Sequence, residues 1–270
     1  MPIRDIQVYV DNDIACGTRI ENAVNLAMQF EARLEGLYSI RKVTVPAGIG
    51  APASMGFYEA VDRKSADQIE LAKNIFESNA AMVSGGGQFQ TLDGYLIDDL
   101  SVQSRYTDLL VIPQDLDAEA NLNSNYWPGS VLMTTACPVL LLPDSKSINL
   151  PPQTALLAWD GSRESANALR AAWPMLERVE KIDIASVASN DAEAMDIAKY
   201  IGHRGVECEI HLLEGSDWNA GGILLEQADA LGSQLIIMGA YGHSRLREFV
   251  LGGTTKHMLN HAKLPVLFSH

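Results

Sequence analysis

The residues most able to do chemistry gather near the C-terminal end of the chain, in residues 235–255, LIIMGAYGHSRLREFVLGGTT. Gly239 and Gly242 are followed by nine residues and then by Gly252-Gly253, with Thr254 and Thr255 opening a helical segment that carries Lys256, Met258, Leu259 and Ala262. Glycines ahead of a helix start let backbone N–H groups converge on an anion, and the helix dipole favours negative charge there. The local charge agrees. Between Gly239 and Lys263 stand four basic residues, Arg245, Arg247, Lys256 and Lys263, against one acid, Glu248, in a chain of formal net charge -14. Phosphate is the ligand that this combination suits. Taken alone, the glycine spacing suits a tight strand-to-helix loop with solvated arginines equally well.

Other reactive residue types form weaker sets. His257 and His261 lie one helical turn apart, the spacing of two metal ligands on one helix face, but with no third ligand in view they read as surface histidines. His243 directly follows Gly242, where it could contact phosphate or face solvent. Ser162, after Asp160-Gly161, reads as a helix cap. No Ser-His-Asp or paired-carboxylate arrangement can be argued from spacing. The three cysteines, Cys16, Cys137 and Cys208, are far apart and lack CxxC spacing, so they read as small buried apolar residues. Trp127, Trp159, Trp173 and Trp218 read as packing groups.

These residues need a scaffold, and the chain supplies it twice. Residues 6–10 (IQVYV) read as a strand ending at Asp11, and residues 18–30 as a helix with Ile20, Val24, Ala27 and Met28 on one face. Strand patterns follow at 34–40, 89–92, 109–112 and 139–142, separated by helical patterns at about 58–82 and 96–106 and by a short helix after Pro128-Gly129-Ser130. Pro151-Pro152 marks a linker, and the order begins again with strands at 155–159, 182–187, 206–213, 235–238 and 266–268, and helices between them. Asp160 ends the first strand of this second set, as Asp11 ends that of the first. Alternating strands and helices predict an α/β fold of parallel sheets, and the repeat predicts two domains, 1–147 and 153–270. The apolar strands 139–142 and 266–268, each behind a proline, hold equivalent places. They are expected to meet across an internal pseudo-two-fold axis. Residues 46–87, a Gly/Pro/Ala-rich loop and a long helix, stand as an insertion that could cover a cleft or a partner surface.

Asp160 together with Gly239-x-x-Gly242, nine residues and Gly252 resembles the nucleotide loop of the universal stress protein family, and the terminal PVLF strand fits. The likeness extends to both halves, so the chain resembles a tandem universal stress protein. It implies two five-stranded parallel-sheet domains of Rossmann-like, adenine nucleotide alpha hydrolase-like architecture, with ATP or AMP as ligand and Mg accompanying ATP. Carried over by position, Asp160 and Val187 would border adenine and ribose and Met238 would close one side. Gly239, Gly242, Gly252, Gly253 and Thr254 would wrap the phosphates and ribose, with His243 beside them. One departure stands out: the family places Ser or Thr directly after the last motif glycine, where this chain has Gly253, and Thr254 comes one place late.

In the first half the motif is broken. Pro113-Gln114 replaces the first glycine region, and the loop carries Asp115, Asp117 and Glu119 with no basic residue. This half is expected to bind no nucleotide, with Asp11 as a strand-end cap. The leading function is therefore a regulatory stress-response protein that binds an adenine nucleotide through its second half. A nucleotide-free scaffold acting through protein contacts is the alternative, and an ATP hydrolase ranks lowest because no general base or arginine finger can be named. An unknown protein client and a further homodimer are open.

Composition narrows the rest. With 47% hydrophobic and 20% charged residues over 270 positions, the chain is of ordinary globular type. Its net negative charge makes nucleic acid and anionic membranes repulsive partners. With no signal-peptide core ahead of the first strand and no run of membrane-spanning length, a cytoplasmic location is expected.

Overall fold

The computed structural model describes residues 2–40, 55–84, 86–114, 127–143, 151–187, 191–216, 218–241 and 253–270. The first half runs β1 (Asp5–Val10), α1 (Cys16–Phe30), β2 (Arg33–Ser39), α2 (Met55–Ala80), β3 (Gln88–Leu92), α3 (Leu96–Gln103), β4 (Leu109–Pro113), α4 (Trp127–Thr134) and β5 (Val139–Leu142). A short 3-10 turn, Ser104–Tyr106, ends the helical stretch expected as one piece over 96–106. The second half repeats the order with β6 (Thr154–Ala158), α5 (Arg163–Leu176), β7 (Lys181–Val187), α6 (Asp191–Gly202), β8 (Glu207–Leu213), α7 (Ala220–Ala230), β9 (Leu235–Gly239), α8 (Gly253–His261) and β10 (Val266–Ser269). The expected α/β architecture is present, and the two sets of five strands join edge to edge.

All ten strands form one sheet in the order β3-β2-β1-β4-β5-β10-β9-β6-β7-β8. Every neighbouring pair is parallel except β5 and β10, which pair antiparallel with Leu140 opposite Leu267. The order reads the same from either end in terms of each half, so this pair lies on a pseudo-two-fold axis, as the equivalent apolar strands required. Pro138 and Pro265 stop the preceding segment without interrupting the ladder, because their carbonyls accept from Leu110 N and Ile236 N at 3.1 and 3.0 Å. Proline lacks a donor but keeps its acceptor.

Strands buried on both faces must be apolar at every position, and β9 shows why its run is unbroken. Leu235 and Ile237 face one core layer with α1, α2, α5 and α6, while Ile236 and Met238 face the other with α3, α4, α7 and α8. Leu140 and Leu267 at the axis are fully enclosed. Each contributes about 1.5–3 kcal/mol of apolar burial, which welds the halves through their cores rather than their rims.

Candidate functional site

In each half the chain leaves the first strand toward one side of the sheet and the fourth strand toward the other. That reversal opens a crevice beyond the C-terminal ends of the two strands, the usual ligand position in open α/β sheets. In the second half the strands are β6 and β9, paired through Ala158 and Met238. The turn after β6 is built by three residues in a row. Asp160 Oδ1 accepts from Ser162 N at 3.0 Å, Gly161 takes a left-handed φ of 70°, and Ser162 Oγ accepts from Ser165 N at 3.1 Å to cap α5. Ser162 is thus the helix cap that its position suggested.

Six of the predicted residues are described, at the ends of β6, β7 and β9 and the start of α8. Asp160 is exposed at the crevice edge, Val187 is half-buried at the end of β7, and Met238 is buried at the end of β9. Gly253 and Thr254 open α8, the first exposed and the second half-buried. Among the described residues, a Cβ on Gly253 would meet nothing within 4 Å. Gly242, His243 and Gly252 lie outside the described residues.

Gly239 has a second duty that spacing did not reveal. A Cβ there would stand 2.6 Å from Glu164 C and Ser165 N, so the bare glycine lets the first turn of α5 lie directly on the end of β9. The chain beyond β9 then takes a strained step: Tyr241 has a φ of 64°, in the left-handed region that costs a non-glycine residue roughly 1–3 kcal/mol. Its hydroxyl donates to the Gly129 carbonyl in α4 of the first half at 2.6 Å. The opposite reach also occurs, with Gln114 Nε2 donating to the Leu259 carbonyl in α8 at 2.8 Å.

The first-half crevice is sealed from within. Asp11, equivalent to Asp160, is only 3% exposed and pairs with the buried Arg19, whose Nη2 lies 2.7 Å from Asp11 Oδ1. Arg19 Nε also donates to the Tyr9 carbonyl at 2.9 Å. Asp11 does accept from Asp13 N at 3.1 Å, as a strand-end cap would, but its principal partner is the arginine. Eight residues after Asp160 the second half has Ala168 where the first half has Arg19. Trp127 adds a plug. It and Thr254 both lie twelve residues before the valine that opens the last strand, so the indole occupies the position of a threonine. Trp127 is buried, tilted against the Tyr9 ring with centroids 5.8 Å apart. Neither Arg19 nor Trp127 was legible as a site residue, because each sits at a helical spacing that otherwise signals core.

The remaining clusters resolve as structure. Asp183, Glu209 and His211 place ligand atoms within 4.8 Å of one another, but Lys181 Nζ already supplies the cation, 2.9 Å from Asp183 and 2.6 Å from Glu209. His211 Nε2 adds a bond to Asp183 Oδ1 at 2.8 Å. His257 and His261 stack with centroids 4.4 Å apart, and His257 packs over Gly221 of α7, so the pair joins helices. Burial and then the neighbouring His261 hold the His257 pKa down. A groove of about 370 Å³ lies between α5 and α6 beneath Trp159, on the face of the sheet opposite α8. Cys16 is buried, whereas Cys137 and Cys208 are only partly so. Trp218 overturns its expected packing role: it is 92% exposed.

Residues 177–270 match the Universal stress protein family. A curated relative, the universal stress protein Slr1230 of Synechocystis sp., is 30% identical over 119 residues, covering 42% of this chain. The chain spans about 40% of that relative's length. A universal stress protein from Archaeoglobus fulgidus superimposes with a TM-score of 0.73 at 15% identity, covering 98% of this chain and 95% of the other. A functionally unknown protein from Pseudomonas aeruginosa gives 0.61 at 17% identity, over 99% of this chain and 92% of the other. At these identities the two structures show a shared fold along essentially the whole chain. Among the described residues no helix is long and apolar enough to cross a membrane.

Proposed function

We propose that the second half binds an adenine nucleotide, ATP or AMP, with Mg accompanying ATP, and that the first half is a non-binding domain of the same fold. The observation that carries this reading is the contrast between two equivalent carboxylates. Asp160 is exposed at the crevice of the second half, with Ala168 at the position of the arginine, whereas Asp11 is sealed beneath Arg19. The family match over 177–270 covers β7, β9 and α8, the elements that carry Val187, Met238, Gly239, Gly253 and Thr254. These residues fit the ligand: an exposed carboxylate suits ribose hydroxyls, and a helix start with an exposed glycine suits phosphate. In this reading Gly242, His243 and Gly252 complete the phosphate side. The role is regulatory, in a cytoplasmic stress response, with a protein client reading the nucleotide state.

Mass spectrometry of nucleotide released from the purified native protein, followed by titration of the stripped protein, tests it. ATP or AMP in the release, and binding lost in Asp160→Ala, supports the proposal. A stripped protein that binds neither nucleotide at millimolar concentration overturns it.

A further inference from the structure

The groove between α5 and α6 has a filled counterpart in the first half. There α2 lies along α1, and Val10 and Ile20, which stand where the second half has Trp159 and Leu169, are fully buried. In the second half Trp159 is only partly buried, and a space of about 370 Å³ opens beside it over Leu169 and Ile197. That volume suits a small ligand. Its two ends differ in charge. At the end beside the turn after β6, Glu193 stands over Gly161, where a Cβ would meet its Oε2. Arg170 lies about two turns further along α5. Beyond it Arg204 stacks on Tyr200, 3.7 Å from the ring centroid, and holds that wall in place. Asp196 also lines the groove but is already paired with Lys199 at 3.0 Å. Among the described residues Glu193 forms no ion pair, and Arg170 reaches only Asn167 Oδ1 at a long 3.5 Å.

A ligand matched to this groove has an apolar body, a cation at one end and a carboxylate at the other. The start of α5 and Arg170 are about 10 Å apart along the helix axis. An extended peptide covers at most about 3.5 Å per residue, so about three residues span that distance. Trp159 Nε1 chooses among such ligands. It is enclosed without a hydrogen-bond partner among the described residues, and an amide carbonyl beside it supplies the missing acceptor. We propose that the α5–α6 groove binds a short apolar peptide with both termini free, its ammonium at Glu193 and its carboxylate at Arg170. A single amino acid is too short to meet both ends, and a fatty carboxylate leaves Glu193 unmatched. The groove lies on the face of the sheet opposite α8, so this site is separate from the nucleotide crevice and does not rest on the nucleotide reading.

Calorimetric titration of the full chain with the synthetic tripeptide Ala-Leu-Ala at neutral pH tests this, beside its N-acetylated and C-amidated forms and free leucine. The free tripeptide is expected to bind, and acetylation or amidation each to weaken it about tenfold or more, because each removes one charge-assisted hydrogen bond. Arg170→Met and Glu193→Gln alter exposed side chains and leave the core intact. In Arg170→Met, amidation is expected to cost nothing further, and in Glu193→Gln the same holds for acetylation. Trp159→Phe, which keeps an aromatic wall and removes the donor, is expected to weaken the tripeptide about fivefold. A free tripeptide that does not bind at millimolar concentration overturns the proposal. So does binding that neither modification weakens, or losses that persist in full in the two charge variants. Leucine binding as tightly as the tripeptide overturns the assigned length, and unchanged affinity in Trp159→Phe overturns the carbonyl contact.

Discussion

Arg19 and Asp11 form a buried ion pair, 2.7 Å between Nη2 and Oδ1, at the position where the second half leaves Asp160 exposed. Both partners are removed from water, so each is stable only while the other remains. Arg19→Ala is expected to lower the unfolding free energy by about 3–5 kcal/mol, because it strands a buried carboxylate. Urea denaturation measures this. Replacing both residues together, Asp11→Ala with Arg19→Leu, is expected to recover most of the loss. Nucleotide affinity is expected to be unchanged in every one of these variants.

Gly239 is expected to tolerate no side chain. An added methyl would meet backbone atoms of Glu164 and Ser165 at 2.6 Å, and backbone cannot swing aside as a side-chain end can. Gly239→Ala should cost about 1–3 kcal/mol of stability through overpacking, read as a lowered melting temperature. A neutral result would mean that α5 shifts freely on β9.

Gly253 presents the opposite case. Among the described residues a Cβ there meets nothing within 4 Å, so they leave room for Gly253→Ser. Restoring a hydroxyl at the place where the family has one should strengthen ATP binding by about 1 kcal/mol, roughly fivefold, and AMP binding less. Equal gains for both nucleotides, measured by calorimetry, would assign the effect to helix stiffening instead.

Alkaline pH should ionise the buried Cys16 thiol and the partly buried Cys137 thiol. Burial raises Cys16 from 9.0 to about 11 and Cys137 to about 12. A thiol whose folded pKa is raised contributes stability that is complete below the unfolded value and is lost as pH climbs through the folded one. The stability advantage of wild type over Cys16→Ala should therefore shrink between pH 9 and about 11, by on the order of 2–3 kcal/mol. At pH 8, alkylation of the native protein should spare Cys16.

How far the sequence carried the reading depended on the kind of signal. The unbroken run of β9 and the doubled strand order were legible because parallel strands buried on both faces leave no choice of residue type. The meeting of β5 and β10 followed from two equivalent apolar edges. The burial of Asp11 was not legible: the motif reads as broken at Pro113-Gln114, and the acids that follow, Asp115, Asp117 and Glu119, lie outside the described residues. Arg19 escaped because a buried cation at a core spacing is indistinguishable from a surface one until its partner is seen. Trp127 is the packing group that its sequence context suggests, but its place opposite Tyr9 makes that packing the plug of a crevice. Tyr241 gave no sign, since a left-handed φ is unexpected outside glycine and asparagine.

The central claim is that one half is built to bind and its twin is built shut. The most direct test is the stoichiometry of ATP binding to the stripped native chain by isothermal titration calorimetry. One site per chain is expected, lost in Asp160→Ala and retained in Asp11→Ala combined with Arg19→Leu. Two equal sites per chain, or a single site that survives Asp160→Ala, would contradict the account.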